Sequence, residues 1–387
     1  KLQKAISGFY FKTDGVNFLP NFNDEESVTI HRIPNKIKNL SECCDWIYRT
    51  FTPASNYSLA SICADDTRVV VNSSHSLTDG GYINFLIDDI QNPLSKSLFD
   101  TKVPFPGILR EELLKKDFDD FLKNNINNIH NYPSFNTNDI THLNTQEIVT
   151  IPDSDDSILH RFKHEMECEE FSPHIYDKNT QKVNHLSEYL WTGFCLSINA
   201  KNKIFGPIGV ETVVDFRRLI DRKRVNSKFG NAYTSFGLCI KNPNPQMTIG
   251  EMCSEFRNKF NRMKENDWFF KEFLFPVDFR RDFCPVAHVS NVGPVEIKSP
   301  LKDIYMQVSG KEMGSRSYLQ VTSFSKRKKE KGENVFVLQM GYSPSIISDK
   351  NADDIFKTYI HFLKTANPKK KSGDVLDELI HFQKSLW

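Results

Sequence analysis

The stretch Arg68-Val-Val-Val-Asn-Ser-Ser-His75-Ser-Leu-Thr-Asp79-Gly80-Gly81 decides how this chain is read. A β-branched run delivers His75 to a loop, Asp79 follows four residues later, and two glycines permit a sharp turn. After the glycines, Ile83, Leu86, Ile87 and Ile90 fall at i, i+3, i+4 and i+7, one face of an α-helix. Strand, loop and helix in that order are the layout of an active-site loop on an α/β scaffold. A histidine at a strand end suits general-base work, because imidazole ordinarily titrates near neutrality. Taken alone, His75 reads equally as a hydrogen-bonded loop histidine and Asp79 as a helix N-cap.

Upstream of this stretch, strand-like runs cover Val16 to Leu19, Ser27 to Ile30 and Leu59 to Cys63, separated by turn formers such as Thr13-Asp14-Gly15. Downstream, residues 92–142 turn polar and Asn-rich, with one helical segment at Leu113 to Leu122, and read as a crossover. The second half restarts with a strand at Glu147 to Ile151 and a helix from Asp155 to Cys168. It continues with a buried helix from Leu186 to Ala200 and an apolar strand from Ile208 to Val214. Thr248-Ile249-Gly250-Glu251 matches a capping box ahead of a helix. Tyr318 to Phe324 and Asn334 to Tyr342 form a hairpin whose tip, Lys326 to Lys331, reads as a solvated turn. A helix from Asp353 to Leu363 and a basic linker, Lys369 to Lys371, precede a last amphipathic helix from Asp374 to Leu386. The division expected is 1–142, 143–368 and 369–387.

The chain has 387 residues, enough for two domains or one large α/β unit. Lys plus Arg number 50 against 49 Asp plus Glu, so a net charge of +1 gives none of the basic footprint of a nucleic-acid binder. No apolar stretch approaches the length of a spanning helix. The eight cysteines carry no CxxC and no disulfide framework, which fits a reducing, cytoplasmic setting. His160, His164 and Cys168 fall at i, i+4 and i+8, a spacing that stacks zinc-competent side chains on one helical face. With no fourth ligand and four charged neighbours, an ordinary surface helix is the expectation, and no metal is assigned. The terminal helix is expected to pack on the body, with peripheral contact to a lipid surface as the alternative.

The HxxxDG pattern of His75, Asp79 and Gly80 resembles that of the HxxxDG acyltransferases, a superfamily that includes chloramphenicol acetyltransferase, condensation domains and alcohol acetyltransferases. Three further segments resemble the same family in the same order: Val214-Asp215-Phe216-Arg217-Arg218 its D-x-R segment, Phe229-Gly230-Asn231-Ala232 its FGNA segment, and Ser290-Asn291-Val292-Gly293 its SNLG segment. The SNLG-like segment is typical of the alcohol acetyltransferase and polyketide-associated branches. The DFGWG signature of the plant branch is missing, with Gln339-Met340-Gly341-Tyr342 in its place. Condensation domains usually carry a second histidine just before the catalytic one, and here that position is Ser74. The family also places a strand and part of a helix ahead of the segment beginning at Lys1, so an incomplete N-terminus is expected.

The resemblance implies an α/β (α+β) fold of two chloramphenicol acetyltransferase-like subdomains with an active-site tunnel at their interface. It implies His75 as the catalytic base, and Asp79 and Gly80 as structural groups, with Asp79 paired to Arg217 where the domains join. Asn231, Ser290 and Asn291 are tunnel or acyl-donor candidates, Ser290 also as an oxyanion donor. The function implied is transfer of an acyl group, acetyl first, from acyl-CoA as co-substrate to a small alcohol or amine, by a monomer without a bound cofactor. The alternatives are a condensation-type domain using carrier-protein thioesters and a catalytically silent binding relative.

Overall fold

The structure is a computed structural model that describes residues 6–13, 18–20, 29–51, 59–75, 77–92, 115–125, 141–144, 160–215, 217, 232–268, 270, 287–308, 319–328, 332–342, 344 and 347–386. Two compact units result. The first comprises residues 1–120, 215–233 and 296–307, and the second 121–214, 234–295 and 308–387. The units interleave along the chain, and residues 369–387 fall in the second.

In the first unit a three-stranded sheet has the order β3 (Ile30–Arg32), β4 (Ala60–Ala64), β5 (Val69–Ser73). β3 runs parallel to β4 and β4 antiparallel to β5, with Ile62 opposite both Ile30 and Val71. Alternation sends Cys63 and Val70 to one face, where α1 (Leu40–Thr50) buries Cys43 and Ile47 against them. Ala60 and Ile62 go to the other, under Tyr82 and Leu86 of α2 (Gly80–Gln91). β1 (Phe11–Thr13) and β2 (Phe18–Pro20) form a separate antiparallel pair. The segment 296–307 is fastened to this unit by side chains: Gln91 Nε2 donates to Glu296 O at 2.9 Å, and Gln307 Nε2 donates to Asp45 Oδ1 at 3.0 Å. The helix α3 (Lys115–Asn125), which passes from the first unit to the second at residue 121, overlaps the helical segment expected at Leu113 to Leu122 from Lys115 on; Leu113 and Leu114 lie outside the described residues.

In the second unit a six-stranded mixed sheet has the order β10-β9-β11-β12-β13-β6. Its strands are β6 (His160–Glu167), β9 (Ile208–Asp215), β10 (Tyr233–Ile240), β11 (Ala287–Glu296), β12 (Leu319–Lys328) and β13 (Glu333–Tyr342), of which the end residues Asp215, Tyr233 and Glu296 fall in the first unit. The short pair β7 (Tyr176–Asp177) and β8 (Lys182–Val183) stands apart. The central helix α4 (Leu186–Asn202) is buried from Glu188 to Ala200, which explains its lack of a polar face. It packs against α5 (Ile249–Glu265), α6 (Asp349–Thr365) and α7 (Ser372–Ser385). Trp191 Nε1 donates to Thr212 Oγ1 at 3.1 Å and so ties α4 to β9. The capping box at Thr248 and Glu251 is formed. The expected terminal helix lies on the body through buried Val375, Leu376 and Leu379, and its Phe382 stacks on His361 at 3.9 Å. Among the described residues, no helix is long and apolar enough to cross a membrane.

Two expectations are corrected. The segment expected as a helix from Asp155 to Cys168 is an edge strand where described, fully paired with β13 from His160 to Glu167. Its residues alternate: His160, Phe162, His164 and Met166 on one face, Arg161, Lys163, Glu165 and Glu167 on the other. A spacing of four satisfies both periods, so the histidines misled. Cys168 sits beyond the strand, buried at the start of a 3-10 turn, and His160 hydrogen-bonds Asp349 at 3.1 Å. Lys326 is no solvated turn residue either: it lies within β12, is 4% exposed and pairs with Glu165 at 2.9 Å. The strand expected at Glu147 to Ile151, and Lys329 to Lys331 of the hairpin tip, lie outside the described residues.

Gly193 in α4 has no space for a methyl group, since a Cβ built there would stand 2.3 Å from the buried ring of Phe362. Gly193→Ala is expected to destabilise the protein by about 1 to 3 kcal/mol through overpacking. Chemical denaturation measures it, and an unchanged midpoint would show that α4 and α6 are not in this contact.

Candidate active site

β5 ends at Ser73 and the chain turns back on itself, with Leu77 N and Thr78 N both donating to Ser74 O. His75 sits in that turn, half-buried, with its Nδ1 atom shielded. Ser73 Oγ and Thr78 Oγ1 lie 3.0 Å apart and close the loop from within. Asp79 is the N-cap of α2, its Oδ1 accepting from Tyr82 N at 2.8 Å.

The other oxygen of Asp79 faces inward. Oδ2 accepts from Arg217 at 2.9 Å and from the backbone amide of Ala232 at 2.6 Å. Asp79 is 3% exposed and Arg217 5%. Arg217 also donates to Asp215 Oδ1 at 3.0 Å, and the Arg217 amide bonds the same oxygen at 3.1 Å. One guanidinium thus lies between two carboxylates. Burial, the largest influence, raises the pKa of Asp215; Arg217 lowers it and the negative charge of Asp79 raises it. The N-terminus of α2 favours the negative charge of Asp79 independently.

A glycine is required at position 81 for a reason distinct from the turn. A Cβ there would stand 2.6 Å from Asp215 Oδ2 and 2.7 Å from an Arg217 nitrogen, so only the missing side chain lets the ion-pair network approach α2. Gly80 opens the helix beside it.

The structure therefore brings together His75, Asp79, Gly80 and Arg217, and adds Gly81, Asp215 and the Ala232 amide, whose roles sequence reasoning missed. The D-x-R spacing held the signal for Asp215. All of them belong to the first compact unit. Ser290 and Asn291 lie on β11 of the second unit, where Asn291 Oδ1 accepts from Gly293 N at 3.1 Å and Gly293 has φ +90°. The Asn291 side chain is thus engaged locally within β11. Asn231 lies outside the described residues.

Thiol chemistry finds no support in this arrangement. Burial pushes Cys63 and Cys168 up to about 11 and Cys195 and Cys253 up to about 12, away from the thiolate a nucleophile requires. Among the described residues, no three His, Cys, Asp or Glu side chains gather to hold a metal ion.

Neither a protein-family model nor a curated protein sequence matches the chain. Solved structures do match it. The epimerization domain from the third module of tyrocidine synthetase B superposes with a TM-score of 0.61 at 13% identity, covering 99% of this chain and 87% of that one. The condensation domain of the Monacolin K polyketide synthase MokA gives 0.58 at 11% identity, covering 96% and 88%. The X-domain from teicoplanin biosynthesis gives 0.54 at 9%, covering 96% and 87%. The chain thus has the mixed α/β, two-subdomain fold that condensation domains share with chloramphenicol acetyltransferase.

Asp79→Asn and Arg217→Gln are each expected to destabilise the protein by up to about 3 to 5 kcal/mol, because each takes one partner from a buried charge, Arg217 keeping only Asp215 and Asp79 only its two backbone amides. The double variant should lose less than the sum of the singles. Strict additivity in a denaturation cycle would show that the two side chains do not interact.

Proposed function

We propose that the chain is an acyltransferase of the condensation type, taking an acyl group from a thioester on a phosphopantetheine arm and passing it to an amine or hydroxyl, with His75 as the base. The observation that carries this reading is how Asp79 is used. Both its oxygens are engaged, by Tyr82 N, Arg217 and Ala232 N, so the carboxylate holds the loop and the chemistry falls to the imidazole. The burial of Nδ1 supports Nε2 as the reacting nitrogen. Nε2 takes the proton of the acceptor as its oxygen or nitrogen attacks the thioester carbonyl. The C–S bond then breaks and the imidazolium returns the proton to the departing thiolate. The likeness to condensation domains over nearly the whole chain supports a carrier-borne donor.

A second reading, with acyl-CoA as the donor and a small alcohol or amine as the acceptor, is favoured by Ser74. This residue occupies the position where condensation domains usually carry a second histidine, and it is buried, its carbonyl used by the turn. The SNLG-like segment around Asn291 points to the same branch.

The two are separated by offering the same acyl group on coenzyme A and on a phosphopantetheinylated carrier protein, with a panel of amines and alcohols, and reading acylated product by mass spectrometry. Transfer from the carrier thioester, lost by about 10²- to 10⁴-fold in His75→Ala with an unchanged melting temperature, is the expected result. Transfer from acyl-CoA alone would select the second reading. Undiminished turnover by purified His75→Ala would overturn both.

A further inference from the structure

Strand β10 opens on Tyr233, the residue directly after Ala232. The Ala232 amide is bound to Asp79 Oδ2 at 2.6 Å, so the start of the strand is fixed to the same carboxylate that caps α2. From that carboxylate the chain leads four residues back to His75 and, through the bound amide, one residue on to Tyr233. The two side chains meet: their ring centroids are 4.9 Å apart and their planes inclined by 57°. Both belong to the first compact unit, and Tyr233 is half-buried.

A tilted aromatic ring at this distance restricts an imidazole in two ways. It occupies the volume through which the imidazole plane would swing, and it denies that face to water. A base must present its nitrogen within hydrogen-bond reach of the proton it removes, so rotation of the ring plane is a direct loss of rate. We propose that Tyr233 is a positioning residue for His75, its ring and not its hydroxyl fixing the plane of the imidazole. Asp79 then places base and aromatic wall together through one carboxylate. This rests on the reading of His75 as the base; Tyr233 itself takes no part in proton transfer.

The test compares Tyr233→Phe with Tyr233→Leu in the full chain. Tyr233→Leu should lower kcat about tenfold with KM within about twofold, and Tyr233→Phe should restore wild-type kcat. Proton NMR gives a readout that needs no turnover: the His75 ring resonances, identified by their loss in His75→Ala, should move in Tyr233→Leu, where the ring current is gone, and stay in place in Tyr233→Phe. Wild-type kcat and unmoved His75 resonances in Tyr233→Leu would overturn the proposal. Equal damage in Tyr233→Phe and Tyr233→Leu would overturn it too, by giving the role to the hydroxyl. Failure of His75 as the base is seen separately, as turnover that survives in His75→Ala while the resonance shift between the Tyr233 variants still reports the ring contact.

Discussion

The first unit depends on a carboxylate that is almost wholly out of water. Burying Asp79 and Arg217 removes hydration from two charges, a cost that the ion pair alone does not reliably offset. Here two backbone amides and a helix N-terminus are added to the pair. Each of these partners comes from a different stretch: the helix after the histidine loop, the D-x-R segment at the end of β9, and the first residue ahead of β10. The consequence is geometric specificity. A carboxylate with three donors at 2.6 to 2.9 Å fixes one arrangement of those stretches, and Gly81 leaves room for it.

That arrangement also separates two roles that HxxxD leaves undivided in sequence. His75 and Asp79 are four residues apart and both titratable, and a carboxylate near a histidine invites a relay reading. The hydrogen bonds of Asp79 run instead to α2, Arg217 and Ala232. Asp215, more accessible and raised in pKa by burial, completes the charge arrangement around Arg217 and stands away from the histidine loop in sequence.

Much of this was legible in the residues. The strand before His75, the helix after Gly80, the apolar run of β9, the capping box at Thr248 and the all-round burial of α4 follow from local periodicity and capping chemistry. What failed did so for identifiable reasons. At His160 to Glu167 a spacing of four fits helix and strand alike, and the charged residues that alternate along the strand read equally as the polar face of a surface helix. Lys326 looked solvated because it begins a basic run, yet Glu165 on the same sheet, 161 residues away in sequence, neutralises it. The return of residues 215–233 and 296–307 to the first unit had no local signature, since it is fixed by pairs such as Arg217 with Asp79 and Gln307 with Asp45. Tyr233 was hidden for the same reason: its contact with His75 joins residues far apart in sequence and leaves no local pattern.

The central claim, that one carboxylate organises the histidine loop and its surroundings, is tested most directly by hydrogen exchange in Asp79→Asn. The amides of Tyr82 and Ala232 are both bound to Asp79, so peptides carrying α2 and the start of β10 should lose protection together. Those from β12 and β13 should keep theirs. Unchanged exchange at both sites, or loss at Tyr82 with Ala232 still protected, would contradict the account.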